Sequence, residues 1–283
     1  MQERQPSRTA LGAAAYRAAH QILEGGKIFS DPFARTILGD SADGVIAALS
    51  EGPAHEGMRL FMAARSRFAE DGLGAAAARG VRQAVVLGAG LDTFALRNPY
   101  ADLGLRVFEV DHPATQAWKR RRLAEVGLAA PASMTFAAID FERDDLGQGL
   151  RDAGFDPGQP AYFIWLGVAP YLGRAAIEAT LAYIASLPGA EVVFDYSEPL
   201  ENYPPEERAG MVALGAYAAQ MGEPWLSHFD PAEIARVLRG YGFEDLEDLG
   251  KTEIAVRYLG APAGTPDSGP GGHVIRAGRA TRP

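Results

Sequence analysis

The chain has 283 residues, 47% of them hydrophobic, a formal net charge of −9 and no cysteine. That length supports one large α/β domain, or one domain with a helical extension. The acidic charge argues against a general nucleic-acid or membrane-surface role, since both need basic patches, and without cysteine there are no disulfides, thiolate nucleophiles or Cys-ligated metals.

The segment MQERQPSRTALG lacks an apolar core of signal-peptide length, and no stretch approaches the roughly 20 apolar residues of a membrane span. A soluble cytoplasmic protein is therefore expected. Residues 8 to 80 contain no convincing strand. RTALGAAAYRAAHQIL has helical spacing, DPFARTIL has Asp31 as an expected N-cap with Pro32 at the first helical position, and MRLFMAARSRFAEDGL forms another amphipathic helix. We take residues 1–80 as an N-terminal helical cap.

From residue 81 the pattern changes to alternating strands and helices. The strands are QAVVLG, LRVFEV, MTFAAI, AYFIWL and AEVVFDY, with helices starting near Thr93, Pro113, Arg143 and Arg174. Short apolar runs separated by helices imply a parallel sheet buried on both faces. A helical insert follows near 201–240: PPEERAGMVALGAYAAQMG, then DPAEIARVLRGYGF with Asp230 as N-cap. FEDLEDLGKTEIAVRYLG and GGHVIRAG read as two final strands joined by a Gly/Pro loop at 261–272. That loop and the last few residues are expected to be mobile. The whole of 81–283 forms one α/β unit with the cap.

AVVLGAGLDT delivers a strand to a tight turn, where Gly88 and Gly90, flanking Ala89, let backbone approach a ligand. A dinucleotide fingerprint would place a further glycine at 93, where this chain has Thr93. The second strand ends in Glu109 and Asp111. Asp111 lies at the distance from the turn where an acid meets a ribose, Glu109 competes with it, and Asp111 as the cap of the Pro113 helix is the structural alternative. Asp140 ends the third strand. With Phe141 it suits an adenine, and a helix N-cap is the other reading.

These motifs, with PSRTALGAAAYRAAHQ, DPFA, AARSRFAEDGL, FEVDHPATQAWKRRRL, DFERDD and WLGVAPYL, occur in an order that resembles bacterial S-adenosylmethionine-dependent methyltransferases of the leucine carboxyl methyltransferase-like superfamily. That group includes polyketide O-methyltransferases of the tetracenomycin type. The resemblance implies a class I methyltransferase fold: a Rossmann-like, doubly wound, seven-stranded sheet, mostly parallel with a reversed C-terminal strand, behind a helical cap. It also implies S-adenosyl-L-methionine as cofactor, which has no phosphate and so needs no third glycine. By resemblance Arg65 binds the cofactor's carboxylate, Arg17 is a second candidate for that task, Asp111 holds the ribose, and Asp140 and Phe141 meet the adenine. Leu166 stands where eukaryotic protein-carboxyl methyltransferases of the superfamily carry a glutamate, which favours a small-metabolite acceptor over a protein C-terminus.

The expected reaction is O-methylation of a carboxylate or a hydroxyl. A carboxylate needs no general base, whereas a phenol benefits from one. His20 and His228 are candidate bases, and Tyr171 and Tyr196 could line the acceptor pocket. WKRRRLAE reads as a solvated basic face, and the five scattered histidines show no metal-ligand spacing. Two other classes remain: an NAD-dependent oxidoreductase and a cofactor-binding relative without turnover.

Overall fold

The computed structural model describes residues 8–141, 143–220 and 222–279. Residues 1–7 and Glu142 of the quoted segments, Met221 of the insert and the tail from 280 lie outside the described residues. Four helices precede the first strand: α1 (Arg8–Leu23), α2 (Ala34–Leu38), α3 (Ala42–Ala48) and α4 (Pro53–Ala78). Ala14, Ala15, Ala18 and Ala19 form the buried stripe of α1, and their small side chains let Ile37, Leu38 and Leu91 pack close against it.

The remaining elements run β1 (Gln83–Leu87), β2 (Arg106–Asp111), α5 (Pro113–Glu125), β3 (Met134–Ala138), α6 (Leu146–Asp152), β4 (Tyr162–Trp165), α7 (Arg174–Ser186), β5 (Glu191–Ser197), α8 (Pro205–Gln220), α9 (Pro231–Gly240), β6 (Asp245–Leu249), α10 (Lys251–Tyr258) and β7 (Gly272–Gly278). They build one seven-stranded sheet in the order β3-β2-β1-β4-β5-β7-β6. β7 inserts between β5 and β6 and runs antiparallel to both, so the expected reversed strand is present. β1 pairs with β2 on one side and β4 on the other. The topology therefore switches at β1, which opens a crevice at the carboxyl ends of the strands. Both faces are covered: Val85, Leu87, Phe108, Phe163 and Trp165 pack on one, and Ala84, Val86, Val107 and Ile164 pack on the other with α4. This two-sided burial is why the strands read as continuous apolar runs.

Four local expectations are corrected. Asp31 makes the bond expected of a cap, its Oδ1 accepting from Phe33 N at 3.1 Å, but Pro32 and Phe33 form a turn and α2 starts only at Ala34. Asp31 is fully buried, and its Oδ2 also accepts from Arg17 Nε at 3.2 Å and Thr93 Oγ1 at 2.7 Å. The helix expected near Thr93 is only a 3₁₀ turn at Phe94–Arg97, closed off by Asn98 before Pro99. The helix expected near Arg143 is α6, which starts at Leu146 because Asp145 caps it, its Oδ1 accepting from Gln148 N at 2.6 Å. The penultimate strand stops at Leu249. The Gly250 N–H donates to Glu253 Oε2 at 3.0 Å, starts α10 and buries Ile254. Among the described residues, no helix is long and apolar enough to cross a membrane.

Candidate functional site

A cavity of about 770 Å³ occupies the crevice beyond β1, β2 and β4. Its floor is the glycine turn. Gly88 and Gly90 have φ of 62° and 46°, and a Cβ on Gly90 would lie 2.8 Å from the Ala10 Cβ of α1. One on Gly88 would run into Val168. The turn is thus clasped between the cap and the β4 loop, and only glycine fits. Ala89 also lines the cavity, and its N–H donates to Val110 O at 3.0 Å.

Asp111 lines the same cavity and does not cap α5; His112 does, its Nδ1 accepting from Ala114 N at 3.2 Å. The Asp111 carboxylate accepts instead from Gly90 N at 2.5 Å and His112 N at 2.7 Å. Burial pushes its pKa above the ordinary range, against the pull of those two N–H groups. Glu109, its competitor, is buried beneath the turn and does not line the cavity. It accepts from Lys119 Nζ at 2.5 Å, and Lys119 also donates to Asp92 O at 2.7 Å. Lys119 is 1% exposed, so this member of the basic cluster is no solvated face. Burial raises the Glu109 carboxyl to about 7 even with the ammonium beside it.

Asp140 and Phe141 line the far wall, with Asp140 Oδ2 standing 3.7 Å from His112 Nε2 and 3.9 Å from Arg143 Nε. Since Asp145 caps α6, Asp140 has no capping role there. Arg17 reaches the cavity from α1, although its guanidinium already donates to Asp31 and, at 2.6 Å, to Leu91 O. Those bonds tie the cap to the turn. Thr93, at the position of the missing third glycine, is fully buried and joins the same network through Asp31.

A second cavity of about 720 Å³ adjoins the first and shares Thr9, Ala13, Arg65, Gly167 and Tyr171 with it. Its other walls are largely apolar and aromatic, including Met58, Phe61, Met62, Tyr203 and Trp225. Arg65, on α4, stands in the shared wall. It is buried, paired with Asp195 of β5, and its Nε has no hydrogen-bond partner. Asp195 in turn accepts from Gly167 N at 2.5 Å.

Tyr171 borders both cavities, and burial raises its hydroxyl pKa. Tyr196 borders the second, but its hydroxyl donates to Asp248 Oδ2 at 2.6 Å and its ring stacks on His273 at 4.8 Å. Burial and Asp248 hold that proton on, so Tyr196 is a wall residue and no base. His20 lines neither cavity. It is fully buried, bonded to Glu24 at 3.2 Å and accepting from Ile28 N at 3.4 Å, and burial lowers its pKa. That makes it a core histidine. His228 Nδ1 is bonded to Ser197 Oγ at 3.0 Å, behind the second cavity's wall.

The structure thus gathers Arg17, Arg65, Gly88, Ala89, Gly90, Asp111, Asp140, Phe141 and Tyr171 around one cavity and sets His20 apart. Sequence reading missed Asp195 and Asp31. Asp195 carried one usable signal, an acid at the carboxyl end of a parallel strand. Asp31 carried only a capping signal, because the partners that tie it to the turn and to α1 lie 62 and 14 residues away.

A sequence model of the family described as leucine carboxyl methyltransferase matches residues 10–185. The chain is 35% identical over 177 residues to the "Putative S-adenosyl-L-methionine-dependent methyltransferase YktD" of Bacillus subtilis, covering 62% of this chain and 58% of that one. It is therefore aligned to little more than half that relative's length. A Mycolicibacterium smegmatis protein of the same descriptive name is 32% identical, covering 94% of this chain and 92% of its own. Among solved structures, a Thermobifida fusca protein described as a "putative methyltransferase" superposes with a TM-score of 0.61 at 19% identity, covering 99% of this chain and 97% of its own. The chain belongs to the leucine carboxyl methyltransferase family, and the two sequence relatives named here carry the description of S-adenosyl-L-methionine-dependent methyltransferases.

Proposed function

We propose that this member of the leucine carboxyl methyltransferase family methylates an oxygen, carboxylate or hydroxyl, of a small, polyketide-like metabolite. The observation that carries the reading is the pair of adjoining cavities. One has mixed polar and apolar walls over a glycine floor, the other is largely apolar, and Arg65, Gly167 and Tyr171 form the wall they share.

The residues present fit S-adenosyl-L-methionine. The turn at Gly88, Ala89 and Gly90 leaves room for close backbone approach where a side chain would collide. Asp111 is held ready for ribose hydroxyls, Asp140 for the exocyclic amine of adenine and Phe141 for a ring face. Arg65, buried with an unpartnered Nε, would hold the carboxylate, with Arg17 behind it. The cofactor, when bound, supplies a sulfonium-activated methyl for in-line transfer. The chain's own work is positioning and exclusion of water: α1 roofs both cavities through Thr9 and Ala13, and α4 orients Arg65. The acidic net charge and apolar second cavity support a small-molecule acceptor.

Calorimetric titration with S-adenosylmethionine, S-adenosylhomocysteine and NAD tests the assignment. Both sulfur compounds should bind, and Arg65→Ala and Asp111→Ala should each weaken them about ten- to hundredfold, the loss of one charge-assisted hydrogen bond. Tighter binding of NAD, or no binding of either sulfur compound, would return the turn to the dinucleotide enzymes. Binding with no turnover of any acceptor would mark a non-catalytic relative.

A further inference from the structure

We infer that Asp195 sets the acceptor class: the second cavity takes a neutral aromatic hydroxyl and rejects a carboxylate. This rests on the methyltransferase reading above and chooses between its two acceptors.

Asp195 ends β5, is 5% exposed and lines the second cavity at the wall shared with the first. Its position is fixed twice, by the Gly167 N–H at 2.5 Å and by the Arg65 guanidinium. Arg65 is the only lysine or arginine bordering both cavities among the described residues. Its charge is already matched by Asp195, and in the proposed complex it faces the cofactor's carboxylate as well. An acceptor carboxylate at the shared wall would be a third anion around one buried guanidinium. The other cation of the second cavity, Lys251, gives no relief: its Nζ stands 3.8 Å from Glu207 Oε2. Glu206 lines the same wall, so Asp195, Glu206 and Glu207 outnumber Arg65 and Lys251.

A hydroxyl meets the opposite situation. Each Asp195 oxygen has one bond from the protein and a lone pair to spare, so a neutral O–H at the wall finds an acceptor held in place. Phe61, Tyr203 and Trp225 give the cavity aromatic walls suited to a flat apolar body, and the flexible side chains of Met58 and Met62 can adapt to its outline.

The test titrates protein saturated with S-adenosylhomocysteine at neutral pH with a matched pair of probes, 2-naphthol and 2-naphthoate. They share a ring system and differ in the charge of the oxygen group. 2-Naphthol should bind at least about tenfold tighter, the scale of a like-charge juxtaposition. Asp195→Asn, which keeps the shape and the acceptor for Gly167, should bring the two within about threefold, chiefly by admitting naphthoate. Equal or tighter binding of naphthoate to the unmodified chain, binding of neither probe, or an unchanged preference in Asp195→Asn overturns the inference. Should the variant fail to fold, the ratio on the unmodified chain decides alone. Failure of S-adenosylhomocysteine to bind at the outset overturns the underlying methyltransferase reading, whereas its binding together with a naphthoate preference overturns the acceptor class only.

Discussion

Replacing Lys119 by methionine should unfold much of the stability that holds the glycine turn. The Lys119 and Glu109 side chains are 2% and 1% exposed, and Glu109 Oε1 has no partner at all. The ammonium is thus the sole side-chain partner of a buried carboxylate, and removing one member of such a pair costs about 3–5 kcal/mol. The loss should depend on pH. Burial lifts the Glu109 carboxyl from its ordinary 4.5 to about 7 in the intact chain, and loss of the cation lifts it further. In the folded state the group binds a proton that the unfolded chain releases. Its stabilising contribution is therefore present below 4.5 and lost as pH rises through about 7. At about pH 5.5 the Lys119→Met chain carries a protonated Glu109, and the cost falls to that of unsatisfied polar atoms, about 1–3 kcal/mol. Urea denaturation followed by circular dichroism at about pH 5.5 and about pH 8 measures both limbs. Lys119→Met/Glu109→Leu should recover most of the loss, because exchanging both partners for apolar groups is close to neutral. A loss under about 1 kcal/mol at the higher pH, no difference between the two pH values, or a double variant weaker than the single one would refute the reasoning.

Gly90→Ala should cost about 1–2 kcal/mol for a left-handed non-glycine residue and push α1 off the turn, with S-adenosylhomocysteine affinity falling more than about tenfold. Adding Ala10→Gly should restore the part due to collision and leave the backbone strain; wild-type affinity in the single variant would show that the contact has no effect. His273 is held between Asp248 Oδ1 at 3.2 Å and Glu198 Oε1 at 3.1 Å. Burial opposes its charge, but the two carboxylates outweigh that and raise its pKa above 6.5. The stability it contributes is full below 6.5 and lost as pH rises through the raised value, so His273→Gln should weaken the chain on the acid side of that range more than on the alkaline side. An equal loss across it, measured by denaturant midpoints, would assign the residue to packing alone.

The site was legible where chemistry and strand ends coincide in a short stretch. Gly88 and Gly90 after an apolar run, and Asp111 just before a helix-starting proline, announce a ligand turn without help from distant residues. Longer-range choices were not visible. The helix that Thr93 opens on pattern grounds is cut to a single turn because the Thr93 hydroxyl is drawn to Asp31, and Pro99 forbids a longer one. Glu109 and Asp111 share a strand face, and only the burial of Lys119 from α5 separates their fates. Asp195 meets Arg65 across 130 residues, a pairing that no local pattern encodes.

The place of β7 governs how the chain can be made. β5 pairs along its length with β7, from Glu191 opposite Gly278 to Ser197 opposite Gly272, and β6 joins the sheet only through β7. During synthesis α8, α9, β6 and α10 all emerge before that partner exists. Until then β5, with Val192, Val193 and Phe194, presents an open apolar edge able to pair with another nascent chain. A truncation ending before Gly272 would make that transient edge permanent, so chains clipped or stalled there should collect in aggregates and the full-length product should not.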